Sequence, residues 1–346
     1  MATPLTAVVL MNLGGPDSLE AVEPFLYNIF SDPDVIQLPL GFLWQKAFAR
    51  KLSRARAEES RANYAKIGGR SPIVALSAEQ GAALERALGE GFRAYVGMRA
   101  WHPFIEEAVD RLVADGAERV VALPLYPQRS RTTSLSAMRE LRRVLARKAP
   151  GLPLHEICCF PTAPGLLAAW EKRIRATLET LPPPRRERAH VLFSAHGLPM
   201  KVIERGDPYL AHVEATVAGV MARLPRGLAH SIAFQSRATR VKWLEPPTEQ
   251  ALADLAGRGV EDVLVVPISF LTEHVETLFE LDMLIRDQAI AAGIKGYHRV
   301  PAPQDDPELI GALAELVRGA LEPGRLRPCG LIGPGGRCPM AGARDA

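Results

Sequence analysis

An apolar run of strand length that breaks at a tight turn occurs twice in this chain, and each copy opens a series of elements that superposes on the other. The first is Val8-Val9-Leu10-Met11, running into Asn12-Leu13-Gly14-Gly15-Pro16; the second is Val191-Leu192-Phe193-Ser194-Ala195, running into His196-Gly197-Leu198-Pro199. Downstream of the first, a strand at Tyr95–Arg99, an amphipathic stretch around Glu106–Asp115 and a strand at Val120–Leu125 make one β-α-β unit. Its counterpart is Ile232–Ser236, a helix around Thr248–Gly257 and Val263–Ile268. Both units pass through a glycine (Gly116, Gly259) and a charged pair before the last strand. Apolar strands alternating with amphipathic helices predict an α/β fold with parallel sheets. The duplication predicts two similar Rossmann-like lobes joined near Pro182-Pro183-Pro184.

A length of 346 residues suits two domains of ordinary size. The expected division is an N-terminal lobe over 1–180 carrying a lip segment at 36–70, a C-terminal lobe over 181–322, and a cysteine-containing tail over 323–346. The net charge of +3 excludes a general basic field for nucleic acid, and no base-reading module is present. No apolar stretch reaches the about 20 residues that cross a bilayer, and Met1–Thr6 lacks a signal-peptide layout. A cytoplasmic protein is expected, peripheral to the inner membrane if the lip segment docks there.

Ligands of open parallel sheets collect beyond the carboxyl ends of the strands. Neither G-x-G-x-x-G nor G-x-x-x-x-G-K-[ST] follows the first strand, which argues against a nucleotide. The strand ends hold His196, Glu273, His274, Glu276, Tyr126, Trp243 and Arg99 instead, a set suited to a flat aromatic ligand with carboxylates and to a metal ion. Imidazole suits borderline divalent metals such as iron, and carboxylates accept protons as well as cations. Glu273, Glu276 and Glu280 are spaced i, i+3, i+7, which in an α-helix aligns three carboxylates on one face. Taken singly, His196 is equally an ordinary strand-end histidine, the glutamates a solvated helix face, and Arg99 and Arg56 surface arginines. The shared location of His196 and the glutamates at corresponding strand ends of one lobe argues for a site, and Arg99 at a strand end is placed to meet a ligand carboxylate.

Between residues 36 and 70, Leu38, Leu40, Phe42, Leu43, Trp44 and Phe48 precede Lys46, Arg50, Lys51, Arg54, Arg56 and Arg61 in a basic amphipathic stretch. It reads as a membrane-surface element or the mouth of an apolar cleft, or else as a helix packed on its own domain. Of four cysteines, Cys158 and Cys159 are adjacent, and Cys329 and Cys338 lie near the C-terminus. Disulfides are not expected in a reducing compartment, which leaves free thiols or a metal cluster.

These segments resemble ferrochelatases. The resemblance runs through Leu10-Met11-Asn12-Leu13-Gly14-Gly15-Pro16, Tyr64-Ala65-Lys66-Ile67-Gly68-Gly69-Arg70-Ser71-Pro72-Ile73, Leu125-Tyr126-Pro127-Gln128 and Ser194-Ala195-His196-Gly197-Leu198-Pro199. It continues through Arg205-Gly206-Asp207-Pro208-Tyr209, Gln235-Ser236 with Trp243, and His274-Val275-Glu276-Thr277-Leu278, in order over about residues 7–320. It implies two lobes with parallel four-stranded sheets, porphyrin in the cleft between them, and Fe2+ inserted into protoporphyrin IX with release of two protons, the terminal step of haem synthesis. By the resemblance His196 and Glu276 are the catalytic pair, and Glu280 and Glu273 join them along the route of the metal and protons. Asn12, Leu13, Arg56, Tyr64, Arg99, Tyr126, Ser130, Ser236, Trp243 and His274 surround the ring. Some members of that family hold a [2Fe-2S] cluster, for which Cys329, Cys338 and either Cys158 or Cys159 are the candidate thiolates. Ala100, where an aromatic is often seen, and Glu273, where Asp is common, depart from the pattern. Coproporphyrin or another ion as substrate, and a tetrapyrrole carrier without catalysis, stay open at this stage, as does the choice between monomer and homodimer.

Overall fold

The protein, seen in a computed structural model, is described over residues 4–36, 41–236 and 241–322. Its first lobe runs β1 (Thr6–Asn12), α1 (Val22–Ser31), α2 (Gly41–Lys66), α3 (Ile73–Leu88), β2 (Phe92–Met98), α4 (Ile105–Ala114) and β3 (Arg119–Pro124). A π-helical turn (Arg131–Leu135) then leads into α5 (Ser136–Lys148), β4 (Leu154–Glu156), α6 (Pro164–Glu179) and α7 (Pro183–Arg186). The second lobe runs β5 (His190–His196), α8 (Met200–Glu204), α9 (Tyr209–Met221), β6 (Ala229–Gln235), α10 (Thr248–Gly257) and β7 (Asp262–Val266). A longer π-helix (Glu276–Ile285) leads into α11 (Arg286–Ala292), β8 (Gly296–Arg299) and α12 (Pro307–Leu321).

The predicted duplication is present strand for strand. Two four-stranded sheets have the orders β2-β1-β3-β4 and β6-β5-β7-β8, and every pairing is parallel. The two opening runs became the central strands because they are apolar on both faces: every residue of β1 is buried, and in β5 only His196 keeps appreciable exposure. Pleating sends alternate residues to different cores. Val9, Met11, Val120 and Ala122 pack on one side of the first sheet, and Leu192, Val263 and Val265 on one side of the second. Val8, Leu10, Val121 and Leu123 enter a core shared with Val191, Phe193, Leu264 and Val266.

The two sheets therefore share a core, and helices join the lobes as well. Helix α12 returns to the N-terminal lobe, where it packs on α6 and α3 and Arg318 donates to the Ala87 carbonyl at 2.7 Å. Gly165 makes the α6–α12 approach feasible, since a Cβ there would lie 2.1 Å from the Glu308 carbonyl oxygen. Polar ties also cross between lobes: Gln128 donates to Thr216 at 3.0 Å, and the Arg129 amide donates to His212 Nδ1 at 3.1 Å. No helix among the described residues is long and apolar enough to cross a membrane.

Candidate functional site

His196 is the last residue of β5, and its backbone is held on both sides. The amide donates to Ser269 Oγ at 3.0 Å, and the carbonyl accepts from the Tyr209 hydroxyl at 2.9 Å. Glycine is needed next, because a Cβ on Gly197 would stand 2.7 Å from the Gln235 carbonyl oxygen and 3.5 Å from the Trp243 ring. With the strand end so fixed, His196 Nδ1 meets Glu276 Oε2 at 2.8 Å. Glu276 opens the π-helix, and Nε2 of the Gln235 side chain donates to its carbonyl at 3.2 Å. Gln235 is itself oriented by the Ser194 hydroxyl, which donates to Gln235 Oε1 at 2.8 Å.

Ser236 joins Glu280 to this pair. Its backbone is left-handed, with φ of 66°, a conformation uncommon outside glycine. That twist aims its amide at Glu280 Oε1 (2.8 Å) and sets its hydroxyl against Glu276 Oε2 (2.9 Å) and Glu280 Oε2. One hydroxyl carries one proton, so bonding both carboxyls requires that one of them be protonated. Electrostatics identify that one. Burial and the charge of Glu276 push Glu280 up to about 7. Burial opposes ionisation of Glu276 too, but the adjacent His196 and the donors around it hold that carboxyl well below the usual range. Burial disfavours the His196 imidazolium, yet Glu276 and Glu280 more than offset it and raise its affinity for a proton. The arrangement is a histidine–carboxylate pair sharing a proton, with a second, proton-holding carboxyl one hydroxyl away.

His274 lies two residues before Glu276, edge-on to Phe270 with ring centroids 4.5 Å apart. Its buried Nδ1 has no hydrogen-bond partner among the described residues, and burial lowers its proton affinity, so it is a neutral imidazole at pH 7. Tyr64, on α2, and Tyr126, after β3, come from the other lobe. Burial pushes both phenols up, with the charge of Glu276 adding to the effect, so both rings lie within its electrostatic reach. Lys66 Nζ, 4.8 Å from the centroid of the Phe279 ring, brings α2 against the π-helix. Asn12 and Leu13 end β1, where the Asn12 side chain accepts from the Leu13 amide at 2.9 Å and the two carbonyls accept from Arg99 and Ala100.

Other residues singled out from the sequence are engaged differently. Arg99 pairs with buried Asp32 at 2.8 Å and its Nε donates to Ser136 at 2.9 Å, so these two nitrogens are directed into the protein. Ser130 is buried and caps the first π-helical turn; its hydroxyl lies 3.1 Å from Asp207 of the second lobe. Trp243 bridges to Pro199 beside Gly197. Arg56 is exposed on α2 at 3.9 Å from Glu59. Glu273 is not aligned with Glu276 and Glu280. The helix starts at Glu276 and is wider than an α-helix, so the i, i+3, i+7 geometry does not apply, and the Glu273 carboxylate is taken by Arg299 at 2.8 and 3.0 Å and by the Ala302 amide at 2.9 Å. No group of three or more His, Cys, Asp or Glu side chains among the described residues forms a ready-made metal cage. Cys158 and Cys159 follow β4 with their sulfurs 3.2 Å apart, while Cys329 and Cys338 lie outside the described residues.

Ser269, Asp32 and Arg299 were not foreseen. Ser269 and Arg299 sit just beyond or at the end of β7 and β8, so extending the strand-end inspection to the fourth strand would have found Arg299. Asp32 ends α1 and gives no local signal of its partner.

Comparison with known proteins gives the family. The family model described as Ferrochelatase matches residues 5–321. The chain is 46% identical over 322 residues to a ferrochelatase of Nostoc punctiforme, covering 91% of this chain and 82% of that one. It is 48% identical over 323 residues to that of Thermosynechococcus vestitus, with the same coverage, and 44% over 312 residues to that of Aquifex aeolicus, covering 90% and 98%. In fold it is similar to the sirohydrochlorin chelatase SirB from Bacillus subtilis subspecies spizizenii in complex with cobalt, with a TM-score of 0.54 at 11% identity, covering 91% of this chain and 95% of that one. A matched family model across both lobes, relatives near half identical over nine-tenths of the chain, and the duplicated sheets together establish that this chain belongs to the ferrochelatase family.

Proposed function

We propose that the protein inserts Fe2+ into protoporphyrin IX, yielding protohaem and two protons, as the terminal step of haem synthesis. The observation that carries the reading is the contact of His196 with Glu276 at 2.8 Å, with Glu280 attached through Ser236. Insertion replaces two pyrrole protons with one divalent ion, so the site must take up protons where it hands over a cation. An imidazole and two carboxyls that already share protons are suited to both. Neutral His274 adds a nitrogen donor, and Tyr64 and Tyr126 supply aromatic wall. Buckling the macrocycle exposes the nitrogen lone pairs to the ion, at a strain of about 1–5 kcal/mol that remote binding can offset. The test is anaerobic insertion of Fe2+, Zn2+ and Co2+ into protoporphyrin and coproporphyrin. A haem spectrum with protoporphyrin is expected; porphyrin binding without any metalloporphyrin would leave a carrier.

Membrane approach is a finer part of the proposal, supported by α2. Its inward face is Gln45, Ala49, Ser53 and Ala57, whereas Leu43 (61% exposed), Trp44 (64%) and Phe48 (38%) face outward among Lys46, Arg50 and Lys51. Apolar side chains in a basic surround suit an anionic lipid surface, where an apolar porphyrin partitions. Trp44→Ser with Leu43→Ser should reduce co-sedimentation with anionic vesicles severalfold and leave insertion of solubilised porphyrin unchanged; equal sedimentation would remove α2 as the contact.

A [2Fe-2S] cluster is the second finer part. Four thiolates would require both Cys158 and Cys159, whose adjacency disfavours joint ligation of one small cluster. Cys159 is buried and Cys158 keeps exposed surface, which makes Cys158 the thiol suited to join Cys329 and Cys338. The purified protein should then be reddish and contain iron and sulfide, lost in Cys158→Ser and retained in Cys159→Ser. Colourless, iron-free protein from an iron-replete host would end this reading.

A further inference from the structure

Arg299 is the last residue of β8, the fourth strand of the second sheet, and it grips the chain on both sides of the carboxyl pair. Its Nη1 donates to both oxygens of Glu273, at 2.8 and 3.0 Å, and its Nε donates to Asp282 within the π-helix. Glu273 is locked further by the Ala302 amide at 2.9 Å. Two residues upstream of Arg299, the Tyr297 hydroxyl donates to the Leu281 carbonyl at 2.8 Å. One strand thus holds positions 273, 281 and 282. His274, Glu276 and Glu280 all lie between those anchors.

The hold matters because of what it fastens. A π-helix has few residues that favour it intrinsically and persists where surrounding structure imposes it, frequently at functional sites. Its first residue is Glu276, whose carboxylate must stay in contact with His196 on a different strand. The clamp is largely out of water, with 13% of the Arg299 side chain and 9% of the Glu273 side chain exposed. A planar guanidinium can hold one carboxylate with a terminal nitrogen and reach a second with Nε, which the single ammonium of lysine cannot reproduce. Neither Arg299 nor Glu273 touches His196, Glu276 or Ser236 in any hydrogen bond described above.

We infer that Arg299 is a positioning residue for metal insertion: by tying Glu273 to Asp282 it fixes where Glu276 and Glu280 stand relative to His196. The inference rests on the insertion activity proposed above. It makes Glu273 an anchor of the site instead of a stop on the metal route. A misplacement of about 1 Å is enough to cost on the order of 100-fold in rate, so a residue that never meets the substrate can still govern turnover.

The test uses the full chain with Arg299→Lys and Glu273→Gln, each checked for folding by thermal melting. Porphyrin binding is read by fluorescence titration, and insertion is followed with Fe2+ and Zn2+ at varied metal and varied porphyrin. We expect metal KM to rise roughly tenfold and kcat to fall on the order of 10- to 100-fold in Arg299→Lys, with porphyrin affinity within about twofold of the parent. Glu273→Gln should change in the same direction by less. A merely structural role would instead lower kcat in proportion to the folded fraction and leave metal KM alone, and that pattern overturns the inference. If Arg299→Lys does not fold, Glu273→Gln decides, and a parental metal KM there also overturns it. An active parent with indifferent variants defeats this inference alone; a parent that inserts no metal defeats the proposed function and this inference with it.

Discussion

His196→Ala is expected to abolish metal insertion while leaving porphyrin binding largely intact. On the proposed mechanism the ring does two things that no neighbour can take over. It would offer the ion a nitrogen, and at 2.8 Å it keeps Glu276 ionised although burial works against that charge. Without it, Glu276 loses its principal counter-charge, its proton affinity rises, and the carboxylate that should receive the cation is held by a proton instead. A positioned proton-transfer group commonly contributes 10²–10⁴-fold, and here a metal donor is lost as well, so turnover should fall by at least about 1000-fold. The proposed porphyrin walls are elsewhere: Tyr64 and Tyr126 come from the opposite lobe, and the strand end at 196 is held by backbone bonds to Ser269 and Tyr209 that the substitution leaves in place. Anaerobic insertion paired with fluorescence titration checks both halves. Turnover within tenfold of the parent would remove His196 from the mechanism, and loss of porphyrin binding would show that the ring supports the cleft.

What made the sheets legible was burial on both faces. Strands such as β1 and β5 must be continuously apolar, and continuous apolar runs ending in turns are visible in a sequence, twice over in this one. The meeting of His196 with the 273–276 segment was legible for a related reason: parallel strands deliver their ends to one edge, so residues 80 apart fall together once the duplication is seen, while the choice of Glu276 within that segment came from the family resemblance. The path of α12 was not, because an amphipathic helix shows which face it buries and not which lobe it will bury it against. Glu273 misled for a different reason. Spacing assigns a carboxylate to a face only if the helix type and start are known, and nothing local distinguishes a π-helix beginning at Glu276 from an α-helix beginning three residues earlier. Arg299, which decides where the Glu273 carboxylate points, is 26 residues away in the chain. Arg99 is a parallel case: a strand-end arginine suited to a ligand carboxylate finds much of its partnership in Asp32, inside the protein.

Glu280→Gln should make the protein more stable at pH 8 and a poorer catalyst, which would separate what the fold prefers from what the reaction needs. The Glu280 carboxyl rises from its ordinary 4.5 to about 7 in the folded chain, because burial and the charge of Glu276 oppose its ionisation. The folded chain therefore holds a proton that the unfolded chain has already lost between those values, and this group's contribution to stability falls as pH rises through that window. A glutamine keeps the bonds to Ser236, accepting from its amide and donating to its hydroxyl, and never ionises. At about 1.4 kcal/mol per pH unit the variant should gain roughly 1–3 kcal/mol at pH 8, with the gain vanishing below pH 4.5. The lower figure applies if His196, which owes part of its raised proton affinity to Glu280, loses some of its own contribution. His196 and Glu276 titrate in both proteins. The former stabilises below its ordinary value and fades as pH rises through its higher folded one; the latter stabilises above its ordinary value and fades in acid. Insertion should move the other way, because an ionised Glu280 is the second acceptor next to the pair; kcat/KM for the metal should fall about 10- to 100-fold at pH 8. Parental kcat/KM should rise between pH 6 and 8 as the Glu280 carboxyl ionises, and that rise should flatten in the variant, which lacks the group. Urea midpoints and insertion rates measured across pH 4.5–8 test both limbs together. A variant no more stable than the parent at pH 8, or one that keeps the parental pH profile, would mean that Glu280 is not the group that holds the proton.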